Sequence, residues 1–149
     1  MARKKQNLEK YKVVHVIQRT ELKTPWFKDQ NICEKRIYLF KRACIEEGIT
    51  ILAFSVLPTH THDILVFEGN IKKLSRIYQR VNGGLAAYLV LNNETHNVTK
   101  NNNSFVLFSS RPRYFPIQNT EELFILTKYI YDNPLKHKSS KTALDYTWS

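Results

Sequence analysis

The run ITILAFSVLPTHTHDILVFE, from Ile49 to Glu68, holds two apolar stretches rich in β-branched residues, split by Pro58-Thr59. Each half has the length of one strand. Proline cannot donate to a ladder, so Pro58 ends the first strand, Ile49 to Leu57. A link this short leaves room only for a tight antiparallel return, which starts the second strand, His60 to Glu68. Gly69-Asn70 closes it. Side chains alternate along a strand, so His60 and His62 share one face while Thr61 and Asp63 share the other.

Towards the N-terminus, Asn31 to Glu47 reads as an amphipathic helix. Cys33, Ile37, Phe40 and Cys44 recur at helical spacing, and Glu34, Lys35, Arg36, Lys41 and Arg42 form the wet side. Gly48 follows, where a left-handed cap belongs. Tyr11 to Arg19 reads as a strand. Thr24-Pro25-Trp26 breaks regularity, and the first eight residues are expected to be flexible.

Towards the C-terminus, Ile71 to about Leu91 is a second helix. Leu74, Ile77, Tyr78, Val81 and Leu85 mark its apolar side, and Lys72, Arg76 and Arg80 step along the other. Gly83-Gly84 is expected to kink or restart it. Asn92 to Ser104 is polar, unpatterned and expected to be mobile. Phe105 to Phe108 reads as a strand, and Ser109 to Pro116 as irregular or extended. Asn119 or Thr120 caps a third helix, with Glu121 and Glu122 in its first turn; Pro134 is expected to stop it at about Asn133. Leu135 to Ser149 reads as a basic, turn-rich tail. The order is β-α-β-β-α-β-α, which makes the class α+β: a small antiparallel sheet packed against helices, in a single domain over residues 1–149.

The 149 residues carry 23 Lys+Arg against 13 Asp+Glu, a formal net charge of +10. A hydrophobic fraction of 42% excludes wholesale disorder. No apolar run reaches the roughly 18 residues of a membrane span, and no signal-peptide core follows the basic start, so a cytoplasmic protein is expected. The charge surplus suits a polyanionic partner, nucleic acid first, against the plainer reading of a basic soluble protein. Cys33 and Cys44 lie eleven residues apart on one helix, about 16 Å, beyond the roughly 7 Å that a disulfide spans. They read as buried thiols, and two cysteines are too few for a cysteine-based zinc site.

Two imidazoles at the His60/His62 spacing can hold one divalent cation, or can simply be two histidines at a strand start. On the third helix Tyr129 and Asn133 share a face. A tyrosine beside a metal can attack a phosphoryl centre, and an asparagine oxygen suits a hard cation. The plainer reading is a half-buried tyrosine and a helix-end asparagine. His15, His96 and His137 are assigned to no metal.

Taken in order, several segments resemble the single-tyrosine HUH transposases of bacterial insertion sequences, and more closely their REP-associated tyrosine transposase branch. They are Val14-His15-Val16 with Arg19, Leu57-Pro58-Thr59-His60-Thr61-His62-Asp63-Ile64-Leu65, Phe108-Ser109-Ser110-Arg111, Tyr129-Ile130-Tyr131-Asp132-Asn133-Pro134 and Tyr146-Thr147-Trp148-Ser149. The resemblance spans nearly the whole chain. It implies an HUH-nuclease fold of ferredoxin or RRM type. It implies that His60, His62 and Asn133 hold Mg²⁺ or Mn²⁺ and that Tyr129 is the nucleophile. The implied reaction cuts single-stranded DNA near hairpins, forms a 5′-phosphotyrosine link, and frees a 3′-OH that can rejoin strands. A homodimer is within the family's range. Lys72, Arg76, Arg80, Arg111 and Arg113 are candidate phosphate contacts, and Tyr114, Phe115 and Tyr78 candidate base-stacking residues, with Tyr78 at least as well read as core.

The chain departs from that family at three places in and just before the histidine strand. Thr61 replaces a bulky aliphatic residue, Thr59 a common Asn, and Asp63 a common Leu. The face opposite the histidines is therefore expected to be unusually polar, with Asp63 pairing a nearby cation or shifting the packing. Two alternatives stand beside the transposase reading. One is a domesticated, catalytically inactive protein that binds hairpin nucleic acid. The other is a metal-dependent hydrolase using activated water.

Overall fold

The computed structural model describes residues 7–92 and 106–136, with side chains through Asn133. Its strands are β1 (Val13–Arg19), β2 (Thr50–Leu57), β3 (His60–Val66) and β4 (Arg113–Ile117). Its longer helices are α1 (Gln30–Glu47), α2 (Ile71–Leu91) and α3 (Thr120–Lys136). The strands form one antiparallel sheet in the order β2-β3-β1-β4. The expected α+β class and β-α-β-β-α-β-α order are both present. Among the described residues, no helix is long and apolar enough to cross a membrane.

The β2–β3 hairpin is the tight return that Pro58-Thr59 implied, with Leu57 paired to His60. An irregularity between Ile51 and Ala53 leaves Leu52 as an extra residue, and it is exposed. β1 lies between β3 and β4, with Val16 opposite Asp63 and Tyr114, and His15 opposite Ile64 and Phe115.

Alternation gives the sheet two distinct faces. On one, Val14, Val16 and Leu65 pack with Phe40, Ala43 and Cys44 of α1 and with Leu74, Ile77, Tyr78 and Val81 of α2. On the other, Ala53, Ile64 and Ile117 pack with Ile130 of α3, flanked by Val13, Leu123 and Leu126. Helices therefore cover both faces, and among the described residues α3 is the helix on the histidine face. Asp29 caps α1, its carboxylate accepting from the Asn31 and Ile32 amides. Gly48 ends that helix in the left-handed region (φ 64°), as its position implied. Asn119 accepts from the Glu122 amide at the start of α3, while Glu122 accepts from the Gln118 amide.

The polarity of the face opposite the histidines has a definite partner. Asp63 is buried and accepts from Arg36 Nη2 at 2.5 Å and from the Tyr78 hydroxyl at 2.8 Å. Arg36 therefore does not belong to the wet side of α1; it is 1% exposed, with its guanidinium 4.3 Å from the Phe40 ring centroid. Burial and the adjacent Asp63 charge push the Tyr78 hydroxyl well above its ordinary pKa, so it stays protonated. Thr61 lies on the same face, fully buried. Both cysteines are free and buried, as expected, and burial pushes each thiol up to about 12.

Other expectations are corrected. Leu8 is buried in a short 3₁₀ turn, Leu8–Lys10, so the flexible start does not extend that far; residues 1–6 lie outside the described residues. α2 runs unbroken through Gly83-Gly84, because Val81, Leu85 and Leu89 hold both halves against the core. The last strand is Arg113–Ile117, not residues 105–108; of the latter, Phe108 makes a single bridge to Thr20, and residue 105 is outside the described set. Pro116 is tolerated because β4 is an edge strand. α3 continues through Pro134 to Lys136, where the missing amide costs one bond near the helix end. The expected mobile stretch 92–104 lies outside the described residues beyond Asn92, as does the tail beyond 136.

Candidate active site

The β2–β3 hairpin, β1 and α3, distant from one another in sequence, meet on the sheet face under α3. The β3 register puts His60 and His62 there, with ring centroids 5.0 Å apart. Opposite them on β2 stand Leu57 and Ser55. From α3, the Tyr129 ring meets the His62 ring edge-on, 5.9 Å between centroids at 81°. Ile130 anchors the helix in the core and so fixes the angle at which Tyr129 leaves it. Tyr129 is 39% exposed, open to a substrate from solvent. Asn133, one turn on, is 1% exposed.

Each histidine is held at its Nδ1. The Thr59 hydroxyl lies 3.2 Å from His60 Nδ1, and His15 Nε2 lies 3.0 Å from His62 Nδ1. The His15 and His62 rings stack at 5.2 Å and 18°. His15 is buried, and burial lowers its pKa against the opposing pull of Asp63, which favours the neutral ring. From the sequence His15 is expected to pack in the first strand, and it is buried there; its contact with His62 was not foreseen. The signal was present, since odd positions of β1 face the same way as even positions of β3, but the pairing register was needed to see it.

The donor set fits a hard or borderline divalent cation. Two imidazoles face one side. Asn133 Oδ1 and Nδ2 are buried without a hydrogen-bond partner among the described residues, as is Ser55 Oγ across from His62. Buried polar atoms left in this way are costly unless something engages them. No group of three or more His, Cys, Asp or Glu is placed to hold a metal among the described residues. With His60 and His62, the buried amide of Asn133 could serve as a protein donor to such a cation.

The candidate DNA-contacting residues separate. Arg113 on β4 faces the histidine side and, with Arg19, Ile17, Ser109, Ser110 and Phe115, lines a cavity of about 140 Å³. Phe115 is 41% exposed on that face, its ring 6.1 Å from His15. Arg111 opens instead onto a groove of about 720 Å³ between α2 and residues 106–114. Tyr114 faces the α1/α2 side, where burial pushes its hydroxyl up to about 12. Lys72, Arg76 and Arg80 lie on α2, across the sheet from the histidines. Lys72 is exposed, Arg76 grips Glu47 through two nitrogens, and Arg80 pairs with Glu46 and Glu47.

No family model and no curated protein matches the chain. Solved structures do. A REP-associated tyrosine transposase bound to a REP hairpin superposes with a TM-score of 0.70 at 18% identity, over 92% of this chain and 74% of that one. A candidate transposase from Deinococcus radiodurans R1 gives a TM-score of 0.54 at 14% identity, over 82% of this chain and 91% of that one. At such identities the likeness speaks for the backbone: the chain has the fold of the tyrosine transposases that its motifs resemble.

Proposed function

We propose that this protein is a metal-dependent strand transferase that cuts and rejoins single-stranded DNA near hairpins, with Tyr129 as nucleophile. The observation that carries the reading is the edge-on contact of Tyr129 with His62, beside His60, on one sheet face. The hairpin bound by the structural neighbour supports hairpin DNA as the partner.

His60, His62 and Asn133 would hold Mg²⁺ or Mn²⁺, which polarises the scissile phosphoryl oxygen when bound. Tyr129 Oη attacks the phosphorus of a DNA phosphodiester. The Oη–P bond forms, the P–O3′ bond breaks, the phenolic proton leaves, and the departing 3′-oxygen takes up a proton. The products are a 5′-phosphotyrosine and a free 3′-OH, which can attack the same link in reverse without external energy. Arg113 and Arg19 supply positive charge for the strand, and Phe115 offers a ring on which a base can stack.

The test is cleavage of a labelled hairpin oligonucleotide with single-stranded flanks, in Mn²⁺, by wild type and Tyr129→Phe. Cleavage by the wild type alone supports the proposal. Equal cleavage by both means a hydrolase using activated water. Binding without cleavage by either means a hairpin-binding protein that does not cut.

A further inference from the structure

His15 sits in the middle of β1, 4% exposed, between Ile64 and Phe115 on the neighbouring strands. Its Nε2 lies 3.0 Å from His62 Nδ1, in a buried contact. A neutral imidazole carries one N–H and one lone pair, so this contact has two forms. In one, His15 donates to His62 Nδ1. The His62 proton then sits on Nε2, which has no lone pair to give a cation. In the other, His62 Nδ1–H donates to His15 Nε2, and His62 Nε2 keeps its lone pair. Only the second form lets His62 act as a ligand. His60 repeats the arrangement through the Thr59 hydroxyl, 3.2 Å from its Nδ1 and able to accept.

We propose that His15 is a positioning residue that accepts a hydrogen bond from His62 Nδ1, fixing the tautomer whose Nε2 binds a divalent cation, with Thr59 serving His60 in the same way. The inference rests on the reading that His60 and His62 hold the cation. Outer partners of this kind orient ligating rings, and their loss typically lowers metal affinity about 10–100-fold. Thr59 is thereby given a use in a position where the resembled family commonly has Asn.

Two measurements on the full chain test this. The first is long-range ¹H–¹⁵N correlation spectroscopy of the ¹⁵N-labelled, metal-free wild type, which reads each histidine tautomer directly. The expected result is His62 protonated at Nδ1; protonation at Nε2 overturns the proposal. The second is Mn²⁺ binding followed by electron paramagnetic resonance. His15→Phe keeps the ring but loses the acceptor, and is expected to weaken Mn²⁺ by about 10–100-fold. His15→Gln, whose amide oxygen reaches the place of Nε2, is expected to recover most of the loss. Unchanged Mn²⁺ affinity in His15→Phe, or equal loss in both variants, overturns it. Should the Phe variant fail to fold, the wild-type tautomer and the Gln variant still decide. Strand transfer by a wild type whose His62 is protonated at Nε2 sinks the role of His15 and leaves the proposed function standing. Protonation at Nδ1 with no Mn²⁺ bound by the wild type overturns the metal reading, and the ligand-presenting role with it.

Discussion

Asp63 adjoins His62 in sequence yet serves the opposite side of the sheet, where Arg36 and Tyr78 hold it. Removing one member of a buried ion pair strands the other charge. Asp63→Ala is therefore expected to cost about 3–5 kcal/mol, read from urea unfolding. A paired Arg36→Leu/Asp63→Leu variant should recover most of that loss, since buried ion pairs are commonly replaceable by apolar residues of similar size. A double variant as unstable as the single one would contradict this account of the pair. The cysteines make a second residue-scale prediction. With both thiols buried and pushed up to about 12, neither is expected to react with a thiol reagent at neutral pH, whereas both react in denaturant. The sequence showed that Thr61 and Asp63 make a polar face, because strand alternation is local. It did not show the partner: Arg36 falls at a helical position indistinguishable from its charged neighbours until α1 is docked on the sheet.

At the scale of elements, the two adjacent glycines of α2 are not equivalent. A Cβ at Gly83 would meet nothing within 4 Å, while one at Gly84 would lie 3.1 Å from a Leu39 methyl. Gly83→Ala is expected to stabilise by about 0.5–1 kcal/mol through helix propensity, raising Tm by roughly 2–3 °C in a calorimetric scan. Gly84→Ala should gain less or lose, because Leu39 must shift to admit it. The reverse ranking would mean that α1 and α2 do not meet at Gly84. The helix boundaries were legible where local chemistry marks them, as at Gly48 and Asn119. β4 was not, because its residues, Arg-Tyr-Phe-Pro-Ile, carry a proline that reads as a breaker. Only the edge position in the sheet makes that proline harmless.

Among the described residues, the candidate site lies on one sheet face and the arginines of α2 on the other side. The net charge of +10 pointed to a polyanion but not to where it would lie. Arg76 and Arg80 already face Glu47 and Glu46, whereas Arg113 opens onto a cavity on the histidine side of the sheet. Arg113→Ala is accordingly expected to weaken hairpin DNA binding and to reduce the slope of log affinity against log salt by about 1. Arg76→Ala is expected to leave both nearly unchanged. Fluorescence anisotropy across a salt series distinguishes the two, and a larger effect from Arg76 would move the DNA to the α2 side. His60, His62, Tyr129 and Asn133 were each legible as chemistry-bearing residues. The family resemblance implied that His62 and Tyr129, 67 positions apart, would meet, and the docking of α3 on the sheet brings that tyrosine to the histidine ring.

The most direct test of Tyr129 as nucleophile is a denaturing gel of the protein mixed with end-labelled single-stranded hairpin DNA and Mn²⁺, run for wild type and Tyr129→Phe. A labelled band at the mass of protein plus DNA fragment, present in the wild type and absent from the variant, is the expected result. Cleaved DNA with no such band, or a band that persists in Tyr129→Phe, would contradict a phosphotyrosine intermediate at this residue.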